Sequence, residues 1–239
     1  MRVMSAIFTK QLNDVLKNPT VTMTFLLLPL LAFLMGTFME LDEDASTFVF
    51  ISTFAAMAVA MMPLTAMASY ISEDIETRSL RFLVMAGVKP TQYLLGISSF
   101  IILLSFLSML AFGLIGELSG SDLILFLVAS IAGLLPATTL GALFGIVSKN
   151  IQQGMTLGSI FGLVLGFIPM FAMMNENIMN VTQFLFSQQV SNIFTYIAFG
   201  PPTHFDWSLT RAFVIIGVNF IVFVFLFFVV YKKRGVNLD

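Results

Sequence analysis

Six stretches of this chain run for about 20 residues without a single Asp, Glu, Lys or Arg: Asn18 to Met39, Phe48 to Ser69, Tyr93 to Gly116, Leu123 to Val147, Gly154 to Met174 and Ala212 to Tyr231. A run of that length matches the hydrocarbon thickness of a bilayer. Inside hydrocarbon each backbone N–H and C=O must be satisfied within its own segment, which for a linear apolar run means an α-helix. The expectation is an all-α integral membrane protein, a single transmembrane domain over residues 1–239 with spans at 18–40, 48–70, 93–116, 123–147, 154–174 and 212–231. Composition agrees: 10% of residues are charged, where a soluble domain carries about 25%, and the mean hydropathy is +0.98.

The segments between the spans carry the charge. Residues 1–17 read as an amphipathic interfacial helix, with Met4, Phe8, Leu12 and Val15 opposite Lys10, Asp14 and Lys17. Glu40, Asp42, Glu43 and Asp44 make an acidic turn, and Pro29 and Pro63 are expected to kink the first two spans. Residues 175–211 alternate apolar patches with Asn180, Thr182, Gln183, Gln188, Gln189, Ser191 and Asn192. As a seventh span they would need hydrogen-bond partners in hydrocarbon, so they read as two short re-entrant helices on the extracellular side, closed by Gly200-Pro201-Pro202. With six spans and both termini cytoplasmic, Arg2, Lys10, Lys17, Arg78, Arg81, Lys89, Lys149, Lys232, Lys233 and Arg234 fall inside and only Arg211 outside, a ten-to-one asymmetry.

One charged island interrupts the apolar runs, from Tyr70 to Gly96. Glu73, Asp74 and Glu76 come first, Arg78, Arg81 and Lys89 follow, and Leu80, Leu83 and Val84 recur at helical spacing, which predicts a short surface helix within the cytoplasmic loop 71–92. Gly87 followed by Pro90 supplies its stop.

Inside the membrane the strongest pattern is glycine. Gly154, Gly158, Gly162 and Gly166 lie on one line of the fifth span, and Gly133, Ala137, Gly141 and Gly145 repeat the device in the fourth. Such stripes let another backbone approach closely, whether the two helices meet each other within one protomer or face a dimer seam or a sliding surface. No ionisable residue sits in mid-span, which argues against ion- or proton-coupled carriage. The absence of cysteine, a lone histidine (His204), and the lack of a phosphate-binding loop or hydrolase motif leave no metal site, cofactor site or catalytic engine in view. An enzyme acting on lipid, and a self-sufficient channel or secondary carrier, are the less favoured alternatives. Any work against a gradient must draw its energy from another polypeptide, and the charged island is the cytoplasmic surface large enough to receive it. The sixteen methionines and uncharged interior lean toward a hydrophobic cargo.

Lys17-Asn18-Pro19 before the first span, the acids Glu73, Asp74 and Glu76, then Ser79-Leu80 with Leu83, and Tyr93-Leu-Leu-Gly96 opening the third span together resemble the permease subunit of type-2 ABC exporters. Two positions depart from that pattern: Arg78 stands where the family often has Gly, and Ile97 where Lys is common. The resemblance implies a short cytoplasmic coupling helix, with Glu73, Asp74, Glu76, Arg78, Ser79, Leu80, Arg81 and Leu83 as its ATPase-coupling residues. It further implies a separate ATPase subunit that binds ATP and Mg, a second permease subunit, identical or sister, and re-entrant helices like Asn177 to Phe199 before the last span. The expected setting is a bacterial plasma membrane, with efflux of a drug, antimicrobial peptide or lipid-like molecule and no nucleic-acid partner.

Overall fold

The computed structural model describes residues 19–38, 47–200 and 207–235, together with Thr9. The interfacial helix expected over 1–17, Thr9 apart, the acidic turn at Glu40 to Asp44, and Pro201, Pro202 and His204 lie outside those residues. Among the described residues every regular element is an α-helix: α1 (Pro19–Phe38), α2 (Thr47–Glu76), α3 (Ser79–Met85), α4 (Pro90–Ile115), α5 (Gly120–Val147), α6 (Ile151–Met174), α7 (Glu176–Thr182), α8 (Phe186–Phe199) and α9 (Leu209–Gly235). Five of these contain segments long and apolar enough to cross a membrane, namely Ile51–Glu76, Thr91–Ile115, Gly120–Val147, Ile151–Met174 and Leu209–Lys233, and α1 contributes the shorter apolar stretch Phe25–Phe38.

Hydroxyls that would otherwise be stranded in an apolar helix turn back on their own backbone. In α5 and at its C-cap Ser148, the Ser130, Thr138, Thr139 and Ser148 hydroxyls donate to the carbonyls of Phe126, Leu134, Leu135 and Phe144 at 2.7 to 2.8 Å, the usual resolution of Ser and Thr in a helix.

The bundle is built around α2. Its apolar window is 78% buried, against 11% for α9, and it packs on α1, α4, α5, α6 and α8. Both glycine stripes turn toward it. A Cβ on Gly133 would lie 2.7 Å from Val59, and one on Gly145 would lie 2.7 Å from Ile71 Cβ. One on Gly141 would collide with the Leu64 backbone. On the other side, Gly154 faces Ser72 and Ala68, and Cβ atoms on Gly158, Gly162 and Gly166 would lie 3.0, 3.2 and 3.5 Å from the Cα atoms of Thr65, Met61 and Met57. Met57, Met61, Thr65, Ala68 and Ser72 therefore form one stripe of α2 under α6, and Val59, Leu64, Met67 and Ile71 form the adjoining stripe under α5. The partner common to both ridges is α2; α5 and α6 touch each other far less extensively.

These contacts give each helix a direction. α2 and α5 run parallel, and α6 runs antiparallel to both. Phe48, Phe126 and Phe194 stack at one end of the bundle, with ring centroids 6.0 and 4.5 Å apart. Glu76, Tyr93 and the α5–α6 turn gather at the other.

The α7–α8 segment supplies partners for some of its buried polar groups, while Ser187 Oγ and Gln189 Oε1 have none among the described residues. Gln188, Gln189 and Ser187 are all buried. Gln188 Nε2 donates to Asn192 Oδ1 at 2.9 Å, and Gln189 Nε2 donates to the Gln183 carbonyl. Val190 reaches Gly133 and Val59, midway along α5 and α2. Asn219, midway along α9, donates to the Phe184 carbonyl at 2.9 Å, pinning the α7–α8 junction to the side of the bundle.

Candidate functional site

The charged island resolves into three parts. Its acids do not belong to the short helix: α2 continues without a break through Glu76, so Glu73, Asp74 and Glu76 occupy its last turns. Carboxylates near a helix C-terminus face the negative end of its dipole and need compensation. For two of the three it is visible. Asp74 is only 5% exposed, and the Tyr93 hydroxyl of α4 donates to its Oδ2 at 2.8 Å. Glu76 Oε2 accepts the backbone N–H of Ile151 at 2.7 Å, so an acid closing α2 caps the first turn of α6. That turn is otherwise built by Asn150, whose Oδ1 accepts from the Gln153 N–H at 2.8 Å, and by Gln153 Oε1, which accepts from the Lys149 N–H at 2.9 Å.

Arg78 makes the corner between α2 and α3. Its φ is +61°, the left-handed conformation that commonly closes a helix and that costs a non-glycine residue about 1–2 kcal/mol. A glycine would take this conformation without that cost. The Arg78 carbonyl then accepts the Phe82 N–H at 3.3 Å, and the Thr77 and Ser79 hydroxyls meet at 2.8 Å, so the corner is tied locally. At the far end Gly87 takes φ +78°, and the Val88 N–H reaches back to the Leu83 carbonyl at 3.0 Å, the closure expected of Gly87 before Pro90.

Between these corners α3 presents two different faces. Leu80 is 3% exposed and Leu83 packs partly buried against the core, so both mount the helix rather than offer it outward. Phe82 and Met85, 64% and 65% exposed, form the apolar part of the free face, with Arg81 beside them. Sequence spacing singled out Leu80, Leu83 and Val84 and passed over Phe82 and Met85, while Tyr93 entered only as the first residue of Tyr93-Leu-Leu-Gly96. The available signal was that Phe82 and Met85 lie three apart in a seven-residue helix, on the side opposite Leu80. A cleft of about 270 Å³ lies at the α2–α3 corner, lined by Ile75, Arg78, Leu80 and Arg81. Among the described residues no group of His, Asp and Glu side chains gathers to hold a metal.

The arrangement is a short helix with one face free and its mount joined by side-chain hydrogen bonds to long helices. A family model described as an ABC-2 family transporter protein matches residues 40–231. The chain belongs to that family. It is a permease, a membrane transport component with several apolar helices, and the match spans α2 to Tyr231 of α9, including α3 and both glycine ridges. A search of curated proteins returned no match.

Proposed function

We propose that this ABC-2 permease is the membrane half of an ATP-driven exporter, and that a separate ATP-binding cassette subunit, holding ATP and Mg, docks on α3. The observation that supports this reading is the free apolar face of α3, Phe82 and Met85, carried on a mount joined to α2 and α4 through Asp74 and Tyr93 and to α6 through Glu76. A displacement of α3 by the ATPase would pass as a rigid-body motion into three long helices at once. A second permease subunit, identical or sister, completes the assembly. Its cargo is hydrophobic or amphipathic, in keeping with spans that carry no mid-span charge.

Replacing Phe82 with Asp tests the docking. The side chain is mostly outside the core, so membrane insertion and thermal stability should stay at parental levels while affinity for the co-expressed ATPase subunit falls by about tenfold or more and ATP-dependent export falls with it. Parental binding and export would refute the proposal, and export that persists without any ATPase would favour a self-sufficient carrier.

The topology belongs to the same proposal: six crossings with both termini in the cytoplasm of a bacterial cell. α1, 20 residues long, reaches about 30 Å and serves as the first crossing. α7 and α8 serve as an extracellular re-entrant pair. Arg78, Arg81, Lys89, Lys149, Lys232 and Lys233 then share the cytoplasmic end. The chain has no native cysteine, so single cysteines at Asn177 and Lys233, both exposed, can be labelled cleanly in intact cells with a membrane-impermeant maleimide. Asn177→Cys should label and Lys233→Cys should not until the cells are opened; the reverse pattern would invert the model.

A further inference from the structure

We infer that the cleft at the α2–α3 corner receives an acidic side chain of the ATPase subunit, with Arg78 and Arg81 gripping its carboxylate and Arg78 acting as a determinant of partner choice. This rests on the docking of that subunit at α3 and adds to it the chemistry of the contact.

Four residues line the cleft, the aliphatic Ile75 and Leu80 and the two arginines Arg78 and Arg81. Leu80 is buried and both arginines are exposed. Among the described residues neither guanidinium is ion-paired, and two of the three neighbouring acids are engaged elsewhere, Asp74 with Tyr93 and Glu76 with the Ile151 N–H. Two unneutralised guanidinium groups beside one small apolar cleft match a carboxylate on a short aliphatic stem, because the planar fork of arginine pairs with a carboxylate through two parallel hydrogen bonds.

The backbone of Arg78 makes the case specific. At φ +61° a glycine would close α2 without strain. The cost falls on the fold, and among the described residues no hydrogen bond or ion pair of the guanidinium offsets it. Strain kept at a surface position bearing an unpaired charge points to a contact made outside the chain. An ATPase that docks at this corner must then carry the complementary acid. A charged rim of this kind governs specificity and association rate as well as affinity.

The test uses the full-length permease in nanodiscs of pure phosphatidylcholine, with its co-expressed ATPase subunit titrated at low and high salt. Arg78→Gly and Arg81→Gln should each weaken binding about tenfold. The double variant should lose most of the salt dependence, and Arg78→Lys, a point charge without the fork, should recover only part of the affinity. Arg78→Gly should melt no lower than the parent, which separates lost contact from lost fold. Arg78→Glu should be rescued by an acid-to-Arg change on the ATPase surface. If Arg78→Gly binds as the parent does while Phe82→Asp does not, the cleft inference fails and the docking at α3 stands. If Phe82→Asp also binds normally, both fail. An effect of the arginines seen only when anionic lipid is added would assign the cleft to lipid phosphate and overturn the proposal.

Discussion

Gly141→Ala should be among the most damaging single-methyl additions in this protein. A Cβ at that position meets the carbonyl oxygen and Cα of Leu64 and comes within 2.9 Å of Met67 Cβ. Two of these are backbone atoms of the most enclosed helix, so no side-chain rotation relieves the contact; α5 must retreat from α2 and loosen the seam on either side. Overpacking of this kind costs about 3 kcal/mol. Two other glycines calibrate the measurement. At Gly166 the nearest atoms, those of Met57, lie at 3.5 Å, an ordinary van der Waals distance, and at Gly217 nothing lies within 4 Å. Alanine at those positions should leave stability unchanged or raise it by up to about 1 kcal/mol through helix propensity. Thermal unfolding followed by fluorescence-detected size exclusion in one detergent would order them: Gly141→Ala lowest, Gly166→Ala and Gly217→Ala at or above the parent. If Gly141→Ala and Gly217→Ala melt together, α2 and α5 do not approach as closely as described.

The second large effect is expected at the Asp74–Tyr93 bond. These residues are 19 positions apart, both are buried, and their 2.8 Å contact closes the loop that carries α3. Tyr93→Phe removes a donor from a buried carboxylate, at a cost of about 1.5–3 kcal/mol for a hydrogen bond to a charged group. Asp74→Ala leaves the Tyr93 hydroxyl buried without its acceptor, at about 1–3 kcal/mol. The two lesions share one interaction, so the double variant should lose clearly less than the two losses added together. Function should show a sharper signature than stability. If an ATPase docks on α3 as proposed, its binding through Phe82 and Met85 should survive in Tyr93→Phe, whereas export per ATP hydrolysed should fall because α3 is no longer braced to α4. Proteoliposomes measure both quantities. A variant that transports with parental stoichiometry, or a double variant whose losses simply add, would show that this bond braces nothing.

The acids of the island show why such partners escape a reading of spacing alone. Glu73, Asp74 and Glu76 look equivalent as neighbours in the chain, and each is as plausible a docking group as the next. One turn of helix sends Asp74 inward to Tyr93 and leaves Glu76 at the rim, where the first turn of α6 arrives from 75 residues away. No local pattern announces a partner at that distance. The same holds for Leu80 and Phe82, two residues apart on a short helix. Spacing separates their faces but does not say which face is covered, because that depends on where α2 and α4 deliver the ends of α3.

What the chain determines by itself is the set of helices. Apolar runs long enough for a bilayer must satisfy their own backbones, and Asn150, Gly87 and Pro90 mark ends that local hydrogen bonding and φ preference enforce. The glycine stripes likewise declare, from spacing alone, a surface for close approach. The tertiary structure decides which surface that is: both ridges close on α2, whose Ala, Thr and Ser residues leave room for a neighbouring backbone, and not on each other. The physical reason is that periodicity fixes the face of a helix on which a residue lies, whereas the partner of that face is set by how all the helices pack around the most enclosed one, a property of the assembled bundle that no single segment contains.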